Sequence, residues 1–239
     1  ALQIPYYAAA ALALGAPERD VAFSVPTGNF GNVLAAWAAR RMGLPIAQLI
    51  VGSNRNDILT RFLTSNDMTV RAVEPSLSPS MDIQVSSNFE RLLFELLGRD
   101  AAATAETMRR FRAEGRMPVP DATWRTATEV FRGFALDDPG TLAEITRLHA
   151  QGYLADPHTA IGTAAAHAVP PADPSIPVVV AATAHPAKFP DAVRRATGLI
   201  PPLPPRLSDL YEREERFTRL SANLNEVQAA VRRHAGRNR

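Results

Sequence analysis

The stretch Val21-Ala22-Phe23-Ser24-Val25-Pro26-Thr27-Gly28-Asn29-Phe30-Gly31-Asn32 decides the fold. Its first five residues are short, apolar and β-prone, as a buried strand requires. Pro26 to Gly31 is a turn cluster. From Asn32 to Met42, the residues Val33, Leu34, Trp37, Ala38 and Met42 recur at helical spacing. Gly43 and then Pro45 stop that helix, and Ile46 to Val51 reads as a second buried strand. A strand, a glycine turn, a helix and a strand in this order form a βαβ unit with a right-handed crossover. The fold class is therefore α/β, with a mostly parallel twisted sheet flanked by helices.

Outward from this unit, helices dominate. Asn56 or Asp57 is placed to cap a helix over 58–63. Ser87-Asn88-Phe89-Glu90 has the form of a capping box, followed by an apolar run to Leu97 and a terminating Gly98. Residues 101–114 form an alanine-rich helix, and 121–134 another. Thr141 with Glu144 caps the next one, and Asp156-Pro157 opens a helix running to about Ala168. Residues 176–183 read as the last strand, followed by a helix from Pro186 or Ala187 to Ala196. Pro201, Pro202, Pro204 and Pro205 make a stiff spacer. Residues 207–234 read as helical and charged, with Asn223 as the place for a break. The domain division is 1–206 for the α/β body and 207–239 for a helical tail packing on it.

Composition narrows the function. The chain has 239 residues, 46% hydrophobic and 21% charged, which is ordinary for a soluble globular protein. No apolar run approaches the ~18 residues of a membrane span. The absence of cysteine excludes disulfides and thiolate metal sites. The start has no basic segment, so it does not read as a signal peptide, and the expected compartment is the cytoplasm. With 26 bases against 24 acids, the charge gives no reason to expect a nucleic-acid partner. One base alone is a lysine, Lys188, so any lysine chemistry within this chain belongs to it.

Two segments stand out chemically. In Thr27-Gly28-Asn29-Phe30-Gly31-Asn32, two glycines let the backbone turn tightly and approach a ligand. The helix start that follows presents unpaired N–H groups and the positive end of its dipole, which suits a phosphate. The glycine spacing is not that of a dinucleotide site, and no Gly-Lys-Ser/Thr follows; a simply capped turn would use the same residues. The second segment is Thr183-Ala184-His185-Pro186-Ala187-Lys188-Phe189. Ligands of open α/β sheets sit beyond the carboxyl ends of the strands, which places Thr183 well. Lys188 could serve as a Schiff-base lysine, an anion contact or a surface charge. His158 and His185 lack metal-ligand spacing, and Asp156-Pro157-His158-Thr159 reads as a helix cap. Residues 78–88, rich in small hydroxyls, suit either a polar pocket or turns and caps.

Several blocks carry a family resemblance. The segment Val25 to Asn32 resembles the phosphate-binding segment of threonine synthases. Collinear with it are Asn54 to Leu63, Ser78 to Ile83, Val85 to Leu92, Asp156 to Ala160 and Thr183 to Phe189. The matching blocks cover roughly residues 1–200. The resemblance implies the C-terminal half of a fold-type II pyridoxal-phosphate enzyme of the tryptophan-synthase-β group, with helical insertions. It implies conversion of O-phosphohomoserine and water into threonine and phosphate, by a monomer or weak homodimer acting on a small molecule. Gly28, Asn29, Phe30, Gly31 and Asn32 would hold the cofactor phosphate, and Thr183 the pyridine nitrogen. A neutral hydroxyl there would moderate the electron sink. Arg61, Arg91 and Lys188 become candidates for substrate phosphate, with Ser80 and Asp82 beside them; solvated helix charges are the plain alternative. Lys188 matches a different lysine from the family's Schiff-base lysine, which is expected upstream, so no catalytic residue is assigned within the chain. Two other functions compete: another fold-type II lyase, such as a dehydratase or cysteine-synthase relative, and a non-catalytic fragment that binds a phosphorylated ligand.

Overall fold

The computed structural model describes residues 2–117 and 119–236. They divide into two compact units, Ala1–Pro202 and Leu203–Arg239. The first holds a four-stranded sheet of β1 (Val21–Pro26), β2 (Ile46–Ser53), β3 (Phe131–Ala135) and β4 (Val178–Val180). The strand order is β3-β2-β1-β4, and all three pairings are parallel. In register, Phe23 stands beside both Leu49 and Val179.

Alternation along β1 sends its side chains to two layers. Phe23 points to α1 (Ile4–Ala13), where Tyr7 packs edge-on against it at 4.9 Å, and it shares that core with residues of α2 (Gly31–Arg41) and α3 (Ile58–Ser65). Ser24 points the other way, to α8 (Pro157–Ala168), and its hydroxyl donates to the Gly162 carbonyl at 2.6 Å. The α8 layer approaches closely because glycine lies at the contact. A Cβ on Gly162 would stand 3.0 Å from Val180 and 3.2 Å from the Pro26 ring. Pro26 and Val180 end their strands, so the residues one turn earlier on α8, including His158, lie at the carboxyl end of the sheet.

Four expectations need correction. The helix over 121–134 stops early: α6 covers Asp121–Thr128, and the chain then forms β3 on β2. Tertiary burial decides this, since Phe131 packs 5.6 Å from Phe30. Gly133 also lets the strand meet α3, where a Cβ would lie 2.9 Å from the Thr60 Cα. The last strand is shorter than 176–183; Ala181 N–H still donates to the Ser24 carbonyl at 2.9 Å, after which the chain leaves the sheet. Its following helix is split into a 3-10 turn, Pro186–Lys188, and α9 (Pro190–Thr197). Pro190 accounts for the break, because a proline disfavours helical geometry at the residue before it; Phe189 has φ −130° and ψ 57°. In the second unit the chain does break at Asn223, which caps α10 (Leu224–Ala235), but before it only the 3-10 turn Pro205–Leu207 is helical among the described residues, so the helix does not fill 207–234.

The caps divide likewise. Asp156 caps α8 as read, and α5 (Ala101–Glu114) has the expected bounds. The cap of α7 (Asp138–Ala150) is Asp137, which accepts from Gly140 N–H, instead of Thr141 with Glu144. The capping box before α4 (Phe89–Leu96) is not formed. Neither is a side-chain cap on α3. In both places the polar side chain is used elsewhere, as described next. Among the described residues, no helix is long and apolar enough to cross a membrane.

Candidate active site at the carboxyl end of the sheet

The loop between β1 and α2 is held from both flanks. Thr27 N–H donates to the Gly52 carbonyl at 2.8 Å, and its hydroxyl to the Val25 carbonyl at 2.7 Å. Ser86 Oγ donates to the Gly28 carbonyl at 2.8 Å. Asn88 turns its Nδ2 to the Asn29 carbonyl at 2.9 Å, which is why it does not cap α4. Gly28 is required sterically: a Cβ there would lie 2.6 Å from the Ser80 carbonyl oxygen. Phe30 sits in the left-handed region at φ 63°, a conformation unusual for a bulky residue. Its ring, 1% exposed and packed on Phe89 and Phe131, holds it there. No side chain caps α2. The helix therefore opens with uncapped N–H groups at Gly31, where the dipole favours an anion.

Asn32 and Thr183 meet in one cavity of about 390 Å³, lined also by Tyr7, Phe23, Val179 and Ala181. Adjacency of β1 and β4 brings them together. Tyr7 Oη donates to Asn32 Oδ1 at 2.8 Å. This fixes the amide so that Nδ2 makes no hydrogen bond among the described residues. Burial pushes the Tyr7 hydroxyl far above its ordinary value, so it stays a neutral donor. Thr183 is exposed, and its hydroxyl likewise makes no hydrogen bond among the described residues. Sequence reasoning missed Tyr7. The available signal was a tyrosine pair after Pro5 at the start of an alanine-rich run.

The remaining candidates do not all gather there. Lys188 is exposed at the same sheet end, with Nζ 5.6 Å from the Phe189 ring centroid. Ser80 is exposed, and its carbonyl is the group facing Gly28. Asp82 is consumed internally. It accepts from Asn54 Nδ2 at 2.7 Å, Asn56 Nδ2 at 3.0 Å, Ser76 Oγ at 2.6 Å and Ser76 N–H at 2.9 Å. Arg61 is 8% exposed and spends its donors on Asp57 at 2.9 Å, Asp67 at 2.6 Å and the Thr69 carbonyl at 2.8 Å. Burial alone would raise the Asp67 carboxyl, but hydrogen bonds from Thr69 and Arg61 outweigh it and hold the group at about 2. Arg91 is exposed in a different groove, with Leu34, Trp37 and Phe94 between α2, α4 and α5.

Comparison with known proteins adds a family to this geometry. The profile described as "Threonine synthase, C-terminal" matches residues 159–231. The threonine synthase of Pseudomonas aeruginosa is 53% identical over 237 residues, 98% of this chain and 50% of that protein. The chain belongs with the C-terminal half of the threonine synthases. The crystal structure of the pyridoxal-phosphate-bound threonine synthase from Brucella melitensis superposes with a TM-score of 0.90 at 49% identity, over 97% of this chain and 50% of that one. Yeast threonine synthase gives 0.85 at 31%, over 98% of this chain and 52% of that one. The chain thus spans about half the length of the threonine synthases it matches.

Proposed function

We propose that this chain supplies one wall of a threonine synthase active site, and that the protein carrying it converts O-phosphohomoserine and water into threonine and phosphate. The carrying observation is a cavity on the α1 side of β1 and β4, lined by Phe23 and Val179, in which Asn32 and Thr183 meet. The residues fit pyridoxal phosphate. Gly28, Asn29, Phe30, Gly31 and Asn32 form a braced turn onto an uncapped helix, a cradle for its phosphate. The Thr183 hydroxyl, unengaged among the described residues, suits its pyridine nitrogen. When bound, the cofactor supplies the electron sink for the carbanions that expel the γ-phosphate and admit water.

The protein's own groups bind and orient. Tyr7 sets the Asn32 amide with its donor side unengaged. The Ser80 carbonyl and Ser86 hydroxyl press on Gly28 and fix the loop before any ligand enters. Lys188 and Ser80 keep exposed side chains for a substrate phosphate; Arg91 opens into another groove, and Asp82 and Arg61 hold the frame. A small phosphorylated amino acid suits a cytoplasmic protein of near-neutral net charge, acting as a monomer or weak homodimer. Phosphate release by the protein carrying this chain tests the reading. O-Phosphohomoserine is the expected substrate. Turnover of free threonine or serine in its place would make the protein a dehydratase-like lyase, and pyridoxal-phosphate binding without turnover would make it a binding module.

A further inference from the structure

Behind Lys188 stands a stack of three groups. Asp156 Oδ1 accepts from the His158 backbone N–H at 2.8 Å and from its ring Nδ1–H at 2.9 Å. The His158 ring lies 4.7 Å from the Phe189 ring, centroid to centroid, tilted by 51°. On the same Phe189 ring rests the ammonium of Lys188. Asp156 is 1% exposed and His158 5%, so the base of the stack is buried while its end is in solvent.

The Asp156 carboxyl is held below the usual carboxylate range: burial opposes this, but the hydrogen bonds from His158 and Thr159 outweigh it. It is therefore an ionised acceptor and puts the imidazole proton on Nδ1. Nε2 is buried without a partner among the described residues. Here the ring is pinned through Nδ1 and presents its body to Phe189. Phe189 needs a support, because it lies at the break before Pro190 and outside any regular helix.

We propose that His158 is a positioning residue that acts through Phe189 to fix the Lys188 ammonium at the carboxyl end of the sheet for a phosphate-bearing ligand. The inference rests on the reading of Lys188 as a phosphate contact given above.

Lys188 is the chain's sole lysine, so its side-chain methylene resonances are unique after lysine-selective labelling, and Lys188→Arg assigns them in any longer form of the protein. Inorganic phosphate is the probe. In the unaltered protein the Lys188 methylene protons are expected upfield, under the Phe189 ring, and to move on phosphate addition. Two variants separate the roles of the ring. H158N keeps a side-chain donor for Asp156 but loses the aromatic body; H158F keeps the body and loses the donor. The expected result is that H158N loses the upfield shift and binds phosphate about 2- to 5-fold more weakly, on the scale of one exposed cation–ring contact. H158F is expected to keep both. The reverse order, or no change in either variant, overturns the positioning role. Failure of phosphate to move the Lys188 signal in the unaltered protein removes Lys188 from the phosphate site, a separate outcome that overturns the reading beneath the proposal.

Discussion

Two halves of one sheet edge use similar residues to opposite ends. Beyond β2, Asn54, Asn56, Ser76 and Asp82 tie one another into a closed network, and Arg61 is saturated nearby. Beyond β1 and β4, Asn32 and Thr183 line a cavity with hydrogen-bonding capacity unengaged among the described residues. Polar residues next to a strand end therefore mark a binding site only where their partners are missing. The saturated half is scaffold: it sets the path of 76–82, which brings the Ser80 carbonyl onto Gly28 and shapes the open half.

The sharpest way to break this contrast is Asp82→Ala. It removes the acceptor of four hydrogen bonds and should cost about 3 kcal/mol of stability, read as a lower midpoint in chemical denaturation. A loss of ligand affinity with unchanged stability would instead move Asp82 into the site. Gly28→Ala comes next. Its Cβ meets the Ser80 oxygen at 2.6 Å, so the loop must shift, at about 1–3 kcal/mol, and pyridoxal-phosphate affinity should fall as well. Titration gives a smaller effect. The Asp67 carboxyl sits at about 2 in the folded protein against its ordinary 3.8. Because the folded value is depressed, its stabilisation is present above about 3.8 and is lost as the pH falls towards 2. D67N should flatten that part of an acid-denaturation curve; an unchanged curve would show that the Arg61 pairing adds nothing. The smallest stability effect is expected for Thr183→Ala, within about 0.5 kcal/mol because the side chain is exposed. Thr183→Asp should leave the fold alike and raise transamination side products in the full enzyme.

What could be read from sequence was local. The βαβ unit and the Asp156 cap depend on neighbours a few residues away, and both stand where the sequence put them. β3 escaped because its identity depends on Phe131 meeting Phe30, a hundred positions distant. Tyr7 escaped in the same way, since its partner Asn32 lies 25 positions on, in another helix. The candidate arginines were indistinguishable in sequence. Arg61 and Arg91 differ in the folded state, where three acceptors surround the first and an open groove the second. The capping box misled for a related reason: its Ser87 hydroxyl turns to Asn29 Oδ1 at 3.4 Å and Asn88 braces the Asn29 carbonyl at 2.9 Å, instead of either capping the helix.

The most direct measurement is a titration of the nitrogen-labelled chain with pyridoxal phosphate, and separately with pyridoxal lacking the phosphate, followed at the backbone amides. Pyridoxal phosphate should shift the amides of Gly28 to Val33 together with Thr183, and pyridoxal should leave Gly28 to Val33 unmoved. Shifts confined to the Arg91 groove, or equal shifts with both compounds, would contradict a phosphate cradle at the start of α2.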